Sequence, residues 1–579
     1  MIDYSRDGLL PEFSKKTLKD RYMLPTETSP QQAFMRACKA VASNPEHQQR
    51  LYDYVSKQWF MFSSPILSNG GTKKGHLISC FLNYVPDSRE GLMDHYRENT
   101  FLSSNGGGIG GYWGEIRSEG SGTSNGSRST GVIPFLKMTD SQMLAFAQGT
   151  TRRGSYAAYM DISHPEIEEF LAMRKNTGGD VNRKCLNLHH GINITDDFMK
   201  AVENDSTWKL IDPNSQQTVS SIQARKLWFK ILETRMFTGE PYLHFIDQSN
   251  RLLPQSQKSL GLKINQSNLC SEITLPTSNS RTAVCCLSSV NLEKFDEWEN
   301  HPTFIPDLIE MLDNVISIFI EEAGPELSKA SYSALRERSL GLGAMGFHAY
   351  LQSKMIPFES AIAKGLNHRI FSHIKKQAEV ASKRLCNERG PCPDAQVALE
   401  FRRNMHLLAI APNASSSIIC GNTSPSIEPF STNTISQKTL SGTSLLKNKY
   451  LELELDKLGQ NTKEVWESII TNGGSVQHLD CLNDWTKMVF RTAFEIDQNW
   501  IVELASDRQE FICQAQSVNL FFRPGDTKKY FHNVHWNAHK KGLKTLYYCR
   551  TSSPTLAENT NIKVERKIID NDECFMCEG

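Results

Sequence analysis

The residues best suited to chemistry in this chain are cysteines. Cys574 and Cys577 stand in the terminal run Asp-Glu-Cys-Phe-Met-Cys-Glu-Gly, on a segment (Asn559 to Asp572) with almost nothing to bury. A dithiol on such a tail can collect electrons outside the protein and carry them to a second cysteine pair within it. Ser267-Asn268-Leu269-Cys270-Ser271-Glu272 supplies a different set. Strand alternation would put Asn268, Cys270 and Glu272 on one face. There a carboxylate can take a proton from a hydroxyl, an amide can hold a developing polar group, and the thiol is the candidate reagent. Further on comes Ala283-Val284-Cys285-Cys286-Leu287. Adjacent strand residues face opposite ways, so only one of these two thiols can share the site. Upstream, Cys80 lies in a similar apolar run, His76 to Asn83.

The chain has 14 cysteines. In a reducing compartment they are thiols, and any disulfide is transient and catalytic. Cys38, Cys185, Cys386, Cys481 and Cys513 occur singly and read as small buried hydrophobes. No paired Cys-X-X-Cys knuckles occur, so a structural zinc site is not expected, and no metal ligands are assigned.

The elements that must position these residues read as follows. Residues 1–60 are helical, with apolar three- and four-residue spacing over Lys15 to Tyr22 and Pro30 to Phe60. Ser163-His-Pro-Glu166 reads as the start of a helix running to Lys175, with Ser163 as its cap. Asn105 to Gly111 and Gly120 to Ser129 read as glycine-rich loops. His406 to Ala411 reads as a buried strand entering Pro412-Asn-Ala-Ser-Ser-Ser417. Alternation of strands and helices over hundreds of residues indicates an α/β architecture with parallel strands.

Sixty-four basic residues balance 64 acidic ones. This argues against a nucleic-acid or membrane-surface binder, whose affinity would rest on basic excess. No apolar run approaches a spanning helix and no signal region precedes Tyr4, so a cytoplasmic protein is expected, bacterial or, if phage-encoded, in the host cytoplasm.

Ten motifs in order give the chain a specific resemblance. They are Phe62-Ser-Ser-Pro-Ile-Leu-Ser68; Ser79-Cys80; Gly108-Ile-Gly110; Asn268 to Glu272; Ala283-Val-Cys285; Gly341 to Gly346; Pro412 to Ser417; Ile427-Glu-Pro429; Lys544-Thr-Leu-Tyr-Tyr548; and Glu573 to Cys577. Together they resemble the large catalytic subunit of class I ribonucleotide reductases. The resemblance implies a ten-stranded α/β barrel of two five-stranded parallel halves over residues 61–548. A helical region (1–60) would precede it and a flexible redox-active tail (549–579) would follow.

It also implies roles. Cys270 matches the thiyl-radical position, Glu272 the base on the 3′ hydroxyl, and Asn268 the holder of the substrate hydroxyl. Cys80 and Cys285 match the pair that ends as a disulfide, Cys285 being chosen because it follows Ala-Val. Cys574 and Cys577 match the tail dithiol that re-reduces that pair, itself served by thioredoxin or glutaredoxin. Ser64, Ser79, Gly108, Ala414, Ser415 and Ser416 match contacts to a nucleoside diphosphate. Tyr547 and Tyr548 match this subunit's end of a radical path from a separate metal-containing small subunit, with no cofactor bound in this chain. Asp87, Ser88 and Arg117 match an effector site for a deoxynucleoside triphosphate or ATP, and Arg152 the loop that communicates with the substrate base.

Two departures stand out. Ser124 replaces a second effector arginine, and matching begins near residue 1, so the amino-terminal ATP-binding cone is expected to be absent. A homodimer is expected. The alternative is a cobalamin-dependent class II reductase, which shares the cysteine triad; the paired tyrosines and the tail favour class I. A glycyl-radical enzyme fits less well, since no Arg-Val-X-Gly-Tyr segment lies near the carboxyl end.

Overall fold

The computed structural model describes residues 1–146, 154–439 and 442–551. Arg152, Cys574 and Cys577 therefore lie outside the described residues.

The amino-terminal region is helical, and the expected stretch Pro30 to Phe60 holds two helices. Ser29 caps Pro30–Val41 by accepting from Gln31 N–H. Asn44 caps Pro45–Ser56 by accepting from His47 N–H. Asn44-Pro45 is itself a start signal, a capping side chain before a proline that has no N–H to lose. The last residues expected to be helical enter a short strand instead, Phe60–Phe62, paired antiparallel with Ser288–Val290.

The main sheet has nine strands and curls around a central space. Five of them are parallel neighbours in sequence order: Cys80–Tyr84, Gly108–Tyr112, Ser155–Asp161, His189–Ile194 and Tyr242–Phe245. Two antiparallel seams flank this half. At one, Cys80–Tyr84 pairs with Ala283–Asn291. At the other, Tyr242–Phe245 pairs with Thr545–Leu546. Beyond the first seam, Leu340–Met345 runs parallel to Ala283–Asn291. The second half is less regular than the resemblance implies. Residues 406–411 were expected to form a strand, yet contribute only single bridges, Leu342 to Leu408 and Ile410 to Gln516. The main sheet joins nine strands, and a single sheet of ten is not found among the described residues.

Two other expectations change. The helix expected from Glu166 spans Ile167–Ala172, and Ser163 does not cap it. Glu166 instead turns its carboxylate to the backbone N–H groups of Val132 and Glu119. The glycine run Gly108–Gly111, expected in a loop, is a fully buried strand. A Cβ on Gly110 would stand 2.2 Å from Ser267 O and 2.8 Å from Asn268 Cα. Glycine is there because another backbone lies directly on the strand.

Most apolar side chains form one large core between the sheet and its outer helices, including Phe304–Glu322 packed on the 29-residue helix Ala361–Arg389. A second, smaller cluster gathers inside the curl of the sheet. No helix among the described residues is long and apolar enough to cross a membrane.

The close approach at Gly110 predicts a sharp contrast. Gly110→Ala must displace backbone and should destabilise the protein by about 1–3 kcal/mol. Gly122→Ala, with no atom within 4 Å of its added carbon, should stay within about 0.5 kcal/mol. Thermal unfolding of the two variants beside the parent checks this.

Candidate active site

The inner cluster contains Cys80, Cys270, Cys285, Tyr159, Tyr242, Tyr547 and Tyr548, closed in by Leu82, Leu269, Ile273, Leu275, Leu287, Ala409 and Ala411. Cys270 is carried by a turn. Ser271 N–H bonds to Asn268 O at 3.3 Å, and Ser271 adopts φ 66°, a left-handed conformation that no regular strand contains. This corrects the strand-alternation argument: Asn268, Cys270 and Glu272 converge through a turn.

The turn is pinned on every side. Asn268 Oδ1 accepts from Ile273 N–H at 3.1 Å. Tyr159 donates to Asn268 O at 2.7 Å. Ser517 Oγ lies 2.6 Å from Cys270 O and 3.2 Å from a Glu272 carboxylate oxygen. Ala515 N–H bonds to Glu272 O at 2.9 Å. All three expected residues, Asn268, Cys270 and Glu272, are completely buried. A buried polar loop is tolerable only when its backbone groups find partners, and these do so across nearly 250 residues of chain.

The expected pair, Cys80 and Cys285, is set by the first seam. Cys80 and Cys285 are direct cross-strand partners. Opposed residues on antiparallel strands have Cα atoms about 4.5–5.5 Å apart, inside the range a disulfide spans. Cys285 faces the inner cluster while Cys286 belongs to the outer core, as alternation required. Gln514 Nε2 lies 3.5 Å from Cys285 Sγ. Burial pushes the Cys285 thiol well above its ordinary range, and neighbouring Cys80 and Glu272 add to the shift. A thiol, not a thiolate, therefore rests here.

The second seam delivers the tyrosines. Tyr547 Oη lies 3.5 Å from Cys270 Sγ. Its ring centroid is 4.3 Å from that of Tyr548 and 4.8 Å from that of Tyr242. The backbone of the pair is held by Tyr547 N–H to Val518 O at 2.9 Å and Leu520 N–H to Tyr548 O at 3.0 Å. Arg235 donates to Tyr547 O at 3.0 Å.

The remaining expected residues fall into two groups. Ala414 opens the short helix Ala414–Ile419, with Ser415 and Ser416 buried in its first turn. Ser416 Oγ is buried and meets no partner among the described residues. Ser64 opens another short helix, its hydroxyl 2.9 Å from Tyr22 Oη. Ser79 O accepts from Gly108 N–H at the edge of the cysteine seam. Asp87, Ser88 and Arg117 are grouped beyond the other end of the Cys80–Tyr84 strand. Ser88 caps Arg89–Ser104, and Arg117 Nε pairs with Asp87 at 2.8 Å. Of the cysteines read as buried hydrophobes, Cys38, Cys185 and Cys386 are buried, whereas Cys481 and Cys513 are only half-buried.

Sequence reasoning missed Tyr159, Tyr242, Gln514 and Ser517. Their only local trace is a set of polar residues in runs that are otherwise buried, such as Cys513-Gln-Ala-Gln-Ser517.

This arrangement agrees with comparisons to known proteins. The family model described as the ribonucleotide reductase barrel domain matches residues 78–401 and 395–549. That of the all-alpha domain matches residues 9–75. A protein of Frog virus 3 (isolate Goorha) named for the large subunit of ribonucleoside-diphosphate reductase is 49% identical over 93% of this chain and 94% of its own. The ribonucleoside-diphosphate reductase large subunit of Invertebrate iridescent virus 3 is 44% identical over the whole of both chains. The solved Actinobacillus ureae class Id ribonucleotide reductase alpha subunit superposes with a TM-score of 0.84 at 34% identity, covering 97% of this chain and 100% of that one. The buried thiols, the curled sheet and these similarities lead to one conclusion: the chain belongs to the ribonucleotide reductase family, as a ribonucleoside-diphosphate reductase large subunit.

Proposed function

We propose that this subunit reduces its substrate through a sulfur radical on Cys270, with the hole arriving through Tyr548 and Tyr547 from a separate small subunit. The observation that carries the reading is the 3.5 Å contact between Tyr547 Oη and Cys270 Sγ inside a sealed cluster that also holds an opposed thiol pair. In each inward step one hydrogen, as proton plus electron, moves outward. Tyr548 gives it to the small subunit's one-electron oxidant, Tyr547 to Tyr548, and Cys270 to Tyr547.

The Cys270 thiyl then takes the 3′ hydrogen of the ribose, forming an S–H bond. Glu272 accepts the 3′ hydroxyl proton and Asn268 holds the substrate hydroxyl. The 2′ hydroxyl leaves as water with a proton from the Cys80–Cys285 pair. That pair gives up two electrons and closes to a disulfide, its second hydrogen ending on C2′; Glu272 returns the 3′ proton, and Cys270 returns hydrogen to C3′ and is again the thiyl. One diphosphate and two thiols thus yield one deoxynucleotide, one water and one disulfide. The protonated resting state of Cys285 supports this order, because the leaving hydroxyl needs a proton donor.

Ser64, Ser79, Gly108, Ala414, Ser415 and Ser416 are proposed to hold the nucleotide. The unsatisfied Ser416 hydroxyl at a helix start suits a diphosphate oxygen. Asp87, Ser88 and Arg117 are proposed to bind the effector, a deoxynucleoside triphosphate or ATP, in a homodimer; Arg152 would carry its identity to the base. Cys574 and Cys577 are proposed to reduce the spent disulfide, drawing on thioredoxin or glutaredoxin. Similarity to a class Id alpha subunit favours entry of the radical from outside over cobalamin chemistry.

Two measurements test this. With the small subunit, substrate and dithiothreitol, Cys270→Ser and Tyr547→Phe should each abolish deoxynucleotide formation while substrate binding persists; continued turnover by either would refute the mechanism. After a single turnover without reductant, peptide mapping should find a Cys80–Cys285 disulfide, with Cys286 still alkylatable after unfolding. A Cys80–Cys286 linkage would reverse the assignment.

A further inference from the structure

Tyr548 has a neighbour that neither the motifs nor the proposed mechanism uses. Its hydroxyl lies 3.3 Å from Nδ1 of His189, the first residue of the fourth parallel strand. The same Nδ1 lies 2.6 Å from Glu240 Oε1. Glu240 is buried, and its other oxygen accepts from His190 N–H at 3.1 Å, meets His190 Nδ1 at 3.1 Å and pairs with Arg174 Nε at 3.3 Å. Burial alone would raise this carboxyl. The Arg174 guanidinium and the two imidazoles outweigh burial and hold it well below the ordinary carboxylate range.

A carboxylate this close to a ring nitrogen requires a proton between them, so Nδ1 of His189 carries the hydrogen. That hydrogen is aimed first at Glu240, and the Tyr548 oxygen is its second, longer acceptor. His189 is therefore a donor to Tyr548, and the phenolic proton points elsewhere. On the ring face, the Arg550 guanidinium stands 5.3 Å from the Tyr548 centroid. The His189 side chain keeps 15% of its surface exposed while that of Glu240 keeps 1%, so the pair lies between the sealed cluster and solvent.

We propose that His189, oriented by Glu240, is a positioning residue for Tyr548: it holds the phenol oxygen at rest and shares its N–H with the phenoxyl once Tyr548 is oxidised. The inference rests on the radical-entry reading above. In the oxidation the Tyr548 O–H bond breaks, and its electron and proton pass to the small subunit's oxidant. The His189 N–H bond stays intact throughout. The phenoxyl oxygen can only accept, so the shared N–H turns toward it until Tyr547 returns a hydrogen. Glu240 is what keeps the His189 ring oriented with Nδ1 beside the Tyr548 oxygen.

The test uses the holoenzyme with its small subunit. His189→Ala should lower diphosphate reduction about tenfold or more, with the substrate KM within about twofold. Added imidazole should restore turnover, whereas thiazole, a ring of similar size without an N–H, should not. His189→Gln, which keeps a donor, should retain more activity than His189→Ala. Glu240→Gln should lower turnover without rescue by imidazole. Turnover of His189→Ala within twofold of the parent would overturn the proposal. So would equal rescue by both rings, which means cavity filling only, or an alanine variant more active than the glutamine one. Tyr548→Phe in the same series separates the two levels: if it turns over normally, radical entry at Tyr548 is wrong and the role of His189 falls with it.

Discussion

The structure depends on keeping one polar turn, Asn268 to Glu272, inside the curl of a sheet where water does not reach. Such a turn is costly unless its backbone groups are paired and its shape is tolerated by what it lies against. Both conditions are met by residues distant in the chain. The Gly108–Tyr112 strand offers a surface without Cβ atoms, so the turn can rest on Gly110. Tyr159 and Ser517 then tie the turn's carbonyls down from opposite sides. A left-handed Ser271 is the local cost of bringing Asn268, Cys270 and Glu272 together.

The two antiparallel seams divide the chemistry between them. Parallel strands place their neighbours by crossover helices, whereas an antiparallel seam puts two distant stretches of chain in direct opposition. At one seam this opposition is Cys80 with Cys285, at a separation that a disulfide can span. At the other, Thr545–Leu546 aligns with Tyr242–Phe245 and carries Tyr547 to the thiol and Tyr548 outward beside it. The tyrosines and the thiol pair thus reach the same buried cluster from two different seams.

Glu272 aside, charged side chains stand at the rim of that cluster. Glu240 with its arginine and two histidines, Arg235 behind the Tyr547 carbonyl, and Arg550 over Tyr548 all flank the tyrosines. The interior contacts are aliphatic side chains, thiols and phenols. Low dielectric disfavours ionised thiols and phenolates, which suits steps that move protons and electrons together and not separately.

Much of the candidate site was legible in the sequence, because it resides in rare residue types at short spacing: the thiol between an amide and a carboxylate, and the tandem tyrosines. Alternation gave only that one of Cys285 and Cys286 could share the site, and the family resemblance gave which. The expected α/β class with parallel strands followed from apolar runs alternating with helices, and the five-stranded half from the family resemblance. Local reasoning failed where a residue's conformation answers to a distant one. Gly108–Gly111 looked like a loop because the backbone that needs its missing Cβ atoms lies more than 150 residues away. Residues 406–411 looked like a strand but make only single bridges to their neighbours. Ser517, Gln514, His189 and Glu240 carried no motif, since their partners stand 50 to 359 residues away. The sequence by itself determined which groups could react. The tertiary structure alone decided which of them meet, because hydrogen bonds and close packing are set by separation in space, and short-range patterns encode only separation along the chain.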